Sequence, residues 1–202
     1  MSTPIQDINS IGQAEQATDA REDSRTQAQI DYDEGRGYAE RGESALAAAS
    51  LYNALRGFEE EDNKEGMANA SNQLGHVCLQ RDEFEKALTN YQRAWKICEA
   101  LEDNLSIQAI SLQLVQVYKG LKDYPKSLNV CLDLLDSYQA NNDPKGTVAV
   151  LEMMAEVYIA SGDREKAADT YNTVASIHTN FRHHKIADSY RQKAAELGNQ
   201  SA

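Results

Sequence analysis

The chain has 202 residues, of which 26% are charged, and a formal net charge of -12. That length fits one domain with an attached tail, and no run reaches the roughly 20 apolar residues of a membrane span. Lys and Arg are scattered, so the acidic chain offers no basic patch for nucleic acid. Leu, Ile, Val and Phe make up under a fifth of the residues, a level associated with disorder in a chain of high net charge. The missing apolar mass is supplied by 27 Ala and 10 Tyr. Ala is the best helix former, so composition leaves a disordered acidic chain or an all-helical one with a core of Ala and Tyr.

Three Cys with no CxxC or CxxxC spacing give neither a disulfide framework nor a zinc site. No basic-then-apolar leader opens the first 30 residues. A reducing, cytoplasmic location is expected.

In chain order, residues 1–12 are polar and hold Pro4 and Gly12, and residues 13–26 are polar without Gly or Pro. Residues 1–26 read as a flexible segment or a helical extension, and residues 27–202 as a repeat domain. Helices are expected to pair as 27–41 with 44–60, 66–81 with 84–101, 106–121 with 124–140, and 146–161 with 164–179. These give repeats of about 27–65, 66–105, 106–145 and 146–182. The linkers Glu61-Asp62-Asn63, Glu102-Asp103-Asn104 and Asn141-Asn142-Asp143-Pro144 recur at one phase and carry capping residues. Asp82 reads as a cap for the second helix of its pair, and Pro125 as a first-turn residue. A single amphipathic helix, 184–197, closes the chain with Ile186, Ala187, Tyr190, Ala194 and Leu197 on its apolar face. Gly198 stands where a C-cap is expected.

Three segments superimpose without gaps at an offset of 40 residues. Leu74, Leu114 and Met154 align, as do Gly75, Val115 and Ala155. Cys78, Tyr118 and Tyr158 follow, then Ala87, Ser127 and Ala167, and Tyr91, Cys131 and Tyr171. A fainter copy holds Gly35, Tyr38, Ala47, Leu51 and Ala54. Leu74, Gly75 and Cys78 share one helical face, and Ala87, Tyr91 and Ala94 share another. Small residues let the two helices approach while Tyr and Leu fill the space beside them. One such hairpin cannot bury both faces, so neighbours must stack.

Leu74-Gly75-x-x-Cys78 followed by Ala87-x-x-x-Tyr91 resembles the tetratricopeptide repeat signature. Gly35-x-x-Tyr38 with Ala47-x-x-x-Leu51, and Ala155-x-x-Tyr158 with Ala167-x-x-x-Tyr171, match in part. The family's early Trp is replaced by Ser71, Ser111 and Leu151, and its closing Pro is absent. The 40-residue form resembles the repeats of Pins-type adaptors and kinesin light chains. The resemblance implies an all-α, right-handed superhelical solenoid of about four hairpins plus a C-terminal capping helix.

No constellation of titratable residues points to catalysis. There is no Gly-rich phosphate loop and no nucleophile elbow. His183 and His184 point about 100° apart on a helix and cannot readily share one metal ion. Cys78 and Cys131 occupy core positions of the repeat, and His178 aligns with Phe58, Cys98 and Tyr138 as a packing residue. The chain is therefore read as non-enzymatic, with no cofactor and no metal.

The resemblance also implies that the first helix of each pair lines a concave groove. The groove positions are then Tyr32, Asp33 and Arg36; Asn72, Gln73, His76 and Gln80; Leu112, Gln113, Gln116 and Lys119; and Glu152, Met153 and Glu156. Asn and Gln donate and accept at once, so this array can pair with the backbone of an extended peptide. The family's basic clamp for C-terminal carboxylates is not expected, because Tyr32, Arg36, Gln73, Ala109 and Gln113 stand at its positions and one alone is basic. Glu152 and Glu156 favour a basic or neutral ligand segment. The expected function is an adaptor, scaffold or assembly factor that binds a protein or peptide in this groove. The alternatives are a peptide-gated regulator and a self-associating scaffold.

Overall fold

A computed structural model describes residues 25–199. The reading of residues 1–24 as a flexible or helical extension therefore lies outside the described residues. Among the described residues the chain is entirely helical, with no strand. The helices are α1 (Gln27–Glu40), α2 (Ser44–Glu60), α3 (Lys64–Gln80), α4 (Phe84–Ala100), α5 (Asn104–Gly120), α6 (Tyr124–Ala140), α7 (Pro144–Ser161), α8 (Arg164–Asn180) and α9 (His184–Asn199). Among the described residues, no helix is long and apolar enough to cross a membrane.

Beneath the 40-residue sequence repeat runs a backbone beat of 20. A residue with positive φ closes each of the first eight helices: Gly42, Asp62, Asp82, Glu102, Lys122, Asn142, Gly162 and Arg182. Its neighbour then turns its N–H back to a carbonyl five residues earlier, as from Asp103 to Cys98 at 2.9 Å and from Asp123 to Tyr118 at 2.9 Å. That neighbour also starts the next helix. Asp103, Asp123, Asp143 and Asp163 each accept a backbone N–H of the following first turn through the side chain, and Asn63 does the same for Gly66. The turns that carry Asn63, Asp103, Asp123, Asp143 and Asp163 thus satisfy orphan groups on both helices with three residues.

Three expectations need correction. Asp82 is no cap: it holds the left-handed position (φ 55°), and the cap is Glu83, whose side chain makes no capping bond. Helices α3, α5 and α7 begin at Lys64, Asn104 and Pro144, two residues ahead of expectation, because the caps Asn63, Asp103 and Asp143 act immediately. Gly198 lies inside α9 rather than after it.

The chain divides into two compact units, with the boundary between Ala70 and Ser71 inside α3. In the first unit α1 packs on α2. Its core is Ala28, Ala47, Leu51, Ala54, Leu55 and Phe58. The contact is close: a Cβ on Gly57 would stand 2.7 Å from that of Ala28.

In the second unit, from Ser71 onward, each helix from α4 packs on the next as far as α9, and α5 also touches α7. The core includes Val115, Cys131, Leu134, Val150, Val157 and Val174. Ser127 is buried where the repeat elsewhere has Ala, and its hydroxyl donates to the Val115 carbonyl at 2.8 Å. A buried hydroxyl needs such a partner. Helix α9 covers the end of the core with Ala194 against Ala155 and Tyr171, flanked by Tyr190 and Leu197. Ile186, expected on that covering face, is 46% exposed.

Candidate functional site

The groove-facing positions of the second unit begin on the C-terminal part of α3. Asn72 and Gln73 are half-buried there, and the Asn72 Oδ1 is buried with no hydrogen-bond partner. His76 is also half-buried. Its Nδ1 lies 3.0 Å from the Tyr91 hydroxyl, and the two rings meet edge to face at 5.5 Å. Gly75 creates the space for this pair, because a Cβ there would stand 2.7 Å from the Tyr91 ring. Burial holds the His76 imidazole below the ordinary histidine value and raises the Tyr91 phenol. His76 is therefore a packed residue of this wall, not a freely projecting one.

On α5, Gln113, Gln116 and Lys119 are half-buried along one face. Gln116 and Lys119 line an open cleft of about 670 Å³ together with Glu156 of α7. Lys119 Nζ reaches Glu156 Oε2 at 2.8 Å, so an ion pair spans α5 and α7. The remaining cleft wall is formed by Leu79 of α3, Asp82 of the turn that follows, Phe84 of α4, and Ile159 and Ala160 of α7, so it is apolar apart from Asp82. Gly120 lets Phe84 lie against the α5 backbone, since a Cβ would meet that ring at 2.3 Å.

The structure thus brings Gln116, Lys119 and Glu156 together in one cleft. The acidic end read from the sequence is not free. Glu156 is paired with Lys119, and Glu152 accepts a hydrogen bond from the Tyr190 hydroxyl of α9. Burial, together with this carboxylate, pushes the Tyr190 phenol up to about 12. Leu112 and Met153 turn partly inward and pack against the core. Tyr32 and Arg36 belong to the first unit. Tyr32 is half-buried, edge-on to Phe58 at 6.2 Å, and Arg36 is exposed beside Glu40 at 3.5 Å.

Sequence phase missed Leu79, Phe84 and Ile159 as cleft residues. Phe84 has a signal in hindsight: Gly120 stands on the first helix of the next pair, where only a missing side chain admits an aromatic ring. Cys78, Cys98 and Cys131 are buried free thiols, and desolvation pushes Cys131 up to about 12. His178 stacks on Tyr190 at 5.5 Å and 5°, as a packing residue should.

No protein-family profile and no curated protein sequence matches the chain. Solved structures do. The kinesin light chain TPR-like repeats of Podosopora anserina superpose with a TM-score of 0.67 at 14% identity, covering 87% of this chain and 94% of that one. The apo form of RapI gives 0.65 at 13% identity over 92% of this chain, and a Rap protein complexed with Competence and Sporulation Factor gives 0.62 at 15% over 89%. This chain spans 58% and 55% of those two. Signature, helix beat and superposition agree: the chain has the all-α fold of tetratricopeptide-type repeats, in a 40-residue form.

Proposed function

We propose that the chain is a non-enzymatic protein-interaction module of the cytoplasm that holds an extended protein segment on the exposed face of α3, α5 and α7. The observation that carries this reading is the cleft beside Gln116 and Lys119, continuous in phase with the amides Asn72, Gln73 and Gln113. Amides supply donor and acceptor to a ligand backbone, while Leu79, Phe84 and Ile159 offer apolar contact to its side chains. With Glu156 neutralised by Lys119 and Glu152 engaged by Tyr190, the ligand segment reaching α7 needs no high positive charge.

A partner isolated by affinity capture with the intact chain supplies the test. Gln113→Ala with Gln116→Ala should weaken its binding at least tenfold by calorimetry, with an unchanged far-UV spectrum. Unchanged affinity in that double variant would remove the reading. Gated regulation is a second reading, favoured by the likeness to a Rap protein solved with a bound factor. It requires that the ligand shrink the radius of gyration in X-ray scattering.

A further inference from the structure

Turned about α5 from Gln113 and Gln116 lies a second groove, of about 620 Å³. Ile107, Ser111 and Leu114 of α5 form its floor, Trp95 of α4 one wall, and Val130 and Leu134 of α6 the other. Its α5 lining runs from Asn104 to Tyr118, about 21 Å at 1.5 Å per residue. Ser111 is one of the residues that leave it open. Ser111 turns its hydroxyl back onto the Ile107 carbonyl at 2.8 Å and leaves the space beside it unfilled. At the same phase of the next repeat stands Leu151, which is 9% exposed and joins the core. At the Ser111 position the groove is therefore more open than its counterpart in the next repeat.

Its shape and charge specify an occupant. The groove is elongated and apolar at the base, and among the described residues Asp133 is the one charged side chain lining it. An amphipathic helix laid along α5 would place residues i, i+3 or i+4, and i+7 on the floor. Lys or Arg on its flank would meet Asp133. The net charge of -12 draws the same kind of partner from a distance. We infer that this outer groove is a second docking site, distinct from the amide-lined face, for a basic amphipathic helix of a partner protein.

Trp95 is the only tryptophan in the chain, so the wall of the groove reports its own occupancy. The full chain is titrated with an 18-residue Leu/Lys peptide whose leucines repeat at helical spacing, and with a scrambled peptide of the same composition. The ordered peptide should give a saturable blue shift of Trp95 emission. Ser111→Leu, which copies Leu151, should weaken it at least tenfold, and Asp133→Lys at least fivefold. Gln113→Ala with Gln116→Ala should leave it unchanged, which separates this site from the proposed primary one. Asp133 is exposed, so its variant keeps the test decisive even if Ser111→Leu disturbs folding. An equal shift from the scrambled peptide, or unaltered binding by Asp133→Lys, overturns the proposal. So does a concentration-dependent shift without peptide accompanied by a dimer mass in light scattering, which would make a second copy the occupant.

Discussion

Gly75 carries no side chain because the Tyr91 ring stands where one would go. Gly75→Ala should therefore cost about 1–3 kcal/mol in urea unfolding, the usual penalty for overpacking a filled site. A smaller loss would mean that Tyr91 can swing aside. His76, on the same wall, has its imidazole held below the ordinary histidine value by burial. The unfolded chain then takes up the proton first as pH falls. Stability from this residue is complete above the ordinary value of 6.5 and declines as pH drops from there to the lowered folded value. Thermal melts at pH 7.5 and 5.5 should differ more for the wild type than for His76→Gln. The sequence placed His76 on the first helix of its pair, but it could not show that Tyr91, fifteen residues away, would claim its Nδ1.

At the level of elements, the 20-residue beat makes the turns interchangeable tests. Removing the capping carboxylate with Asp123→Ala or Asp163→Ala should cost about 1 kcal/mol each in chemical denaturation. Glu83 sits at the same beat without a capping bond and instead pairs with Lys86 and Arg81 on the surface. Such exposed pairs contribute little, so Glu83→Asp should raise stability. The sequence revealed half of this beat. Asn63, Asp103 and Asp143 stand between repeats and were visible through their shared phase, whereas Asp123 and Asp163 lie within repeats and were hidden. Asp82 misled because Asp fits a left-handed turn residue as readily as a cap. The backbone alone separates the two. Gly198 is a comparable case: a glycine after the last apolar residue signals a stop, yet α9 continues through it to Asn199.

For the whole molecule, the fold was legible because apolar and small residues recur at the same positions every 40 residues, and this recurrence is what packs one hairpin on the next. The role of α9 was legible for the same reason, apart from Ile186, which phase alone could not assign to an outer face. Truncation before His184 should uncover Tyr171 and Ala155, lower the melting temperature and make the mass concentration-dependent in light scattering. An unchanged melting temperature would show that α9 protects nothing. The candidate site was legible as a helix face and not as a set of partners. The Lys119–Glu156 and Glu152–Tyr190 contacts join residues nearly forty positions apart, and they change the expected acidic end into a mostly neutralised one. The central claim is that the face of α5 bearing Gln113 and Gln116 holds the partner. A photo-crosslinking residue placed at Gln116 of the full chain, with exposed Glu99 as the control position, tests it in the presence of the captured partner. The account predicts a crosslink from position 116 and none from position 99; crosslinking from position 99 with none from 116 would contradict it.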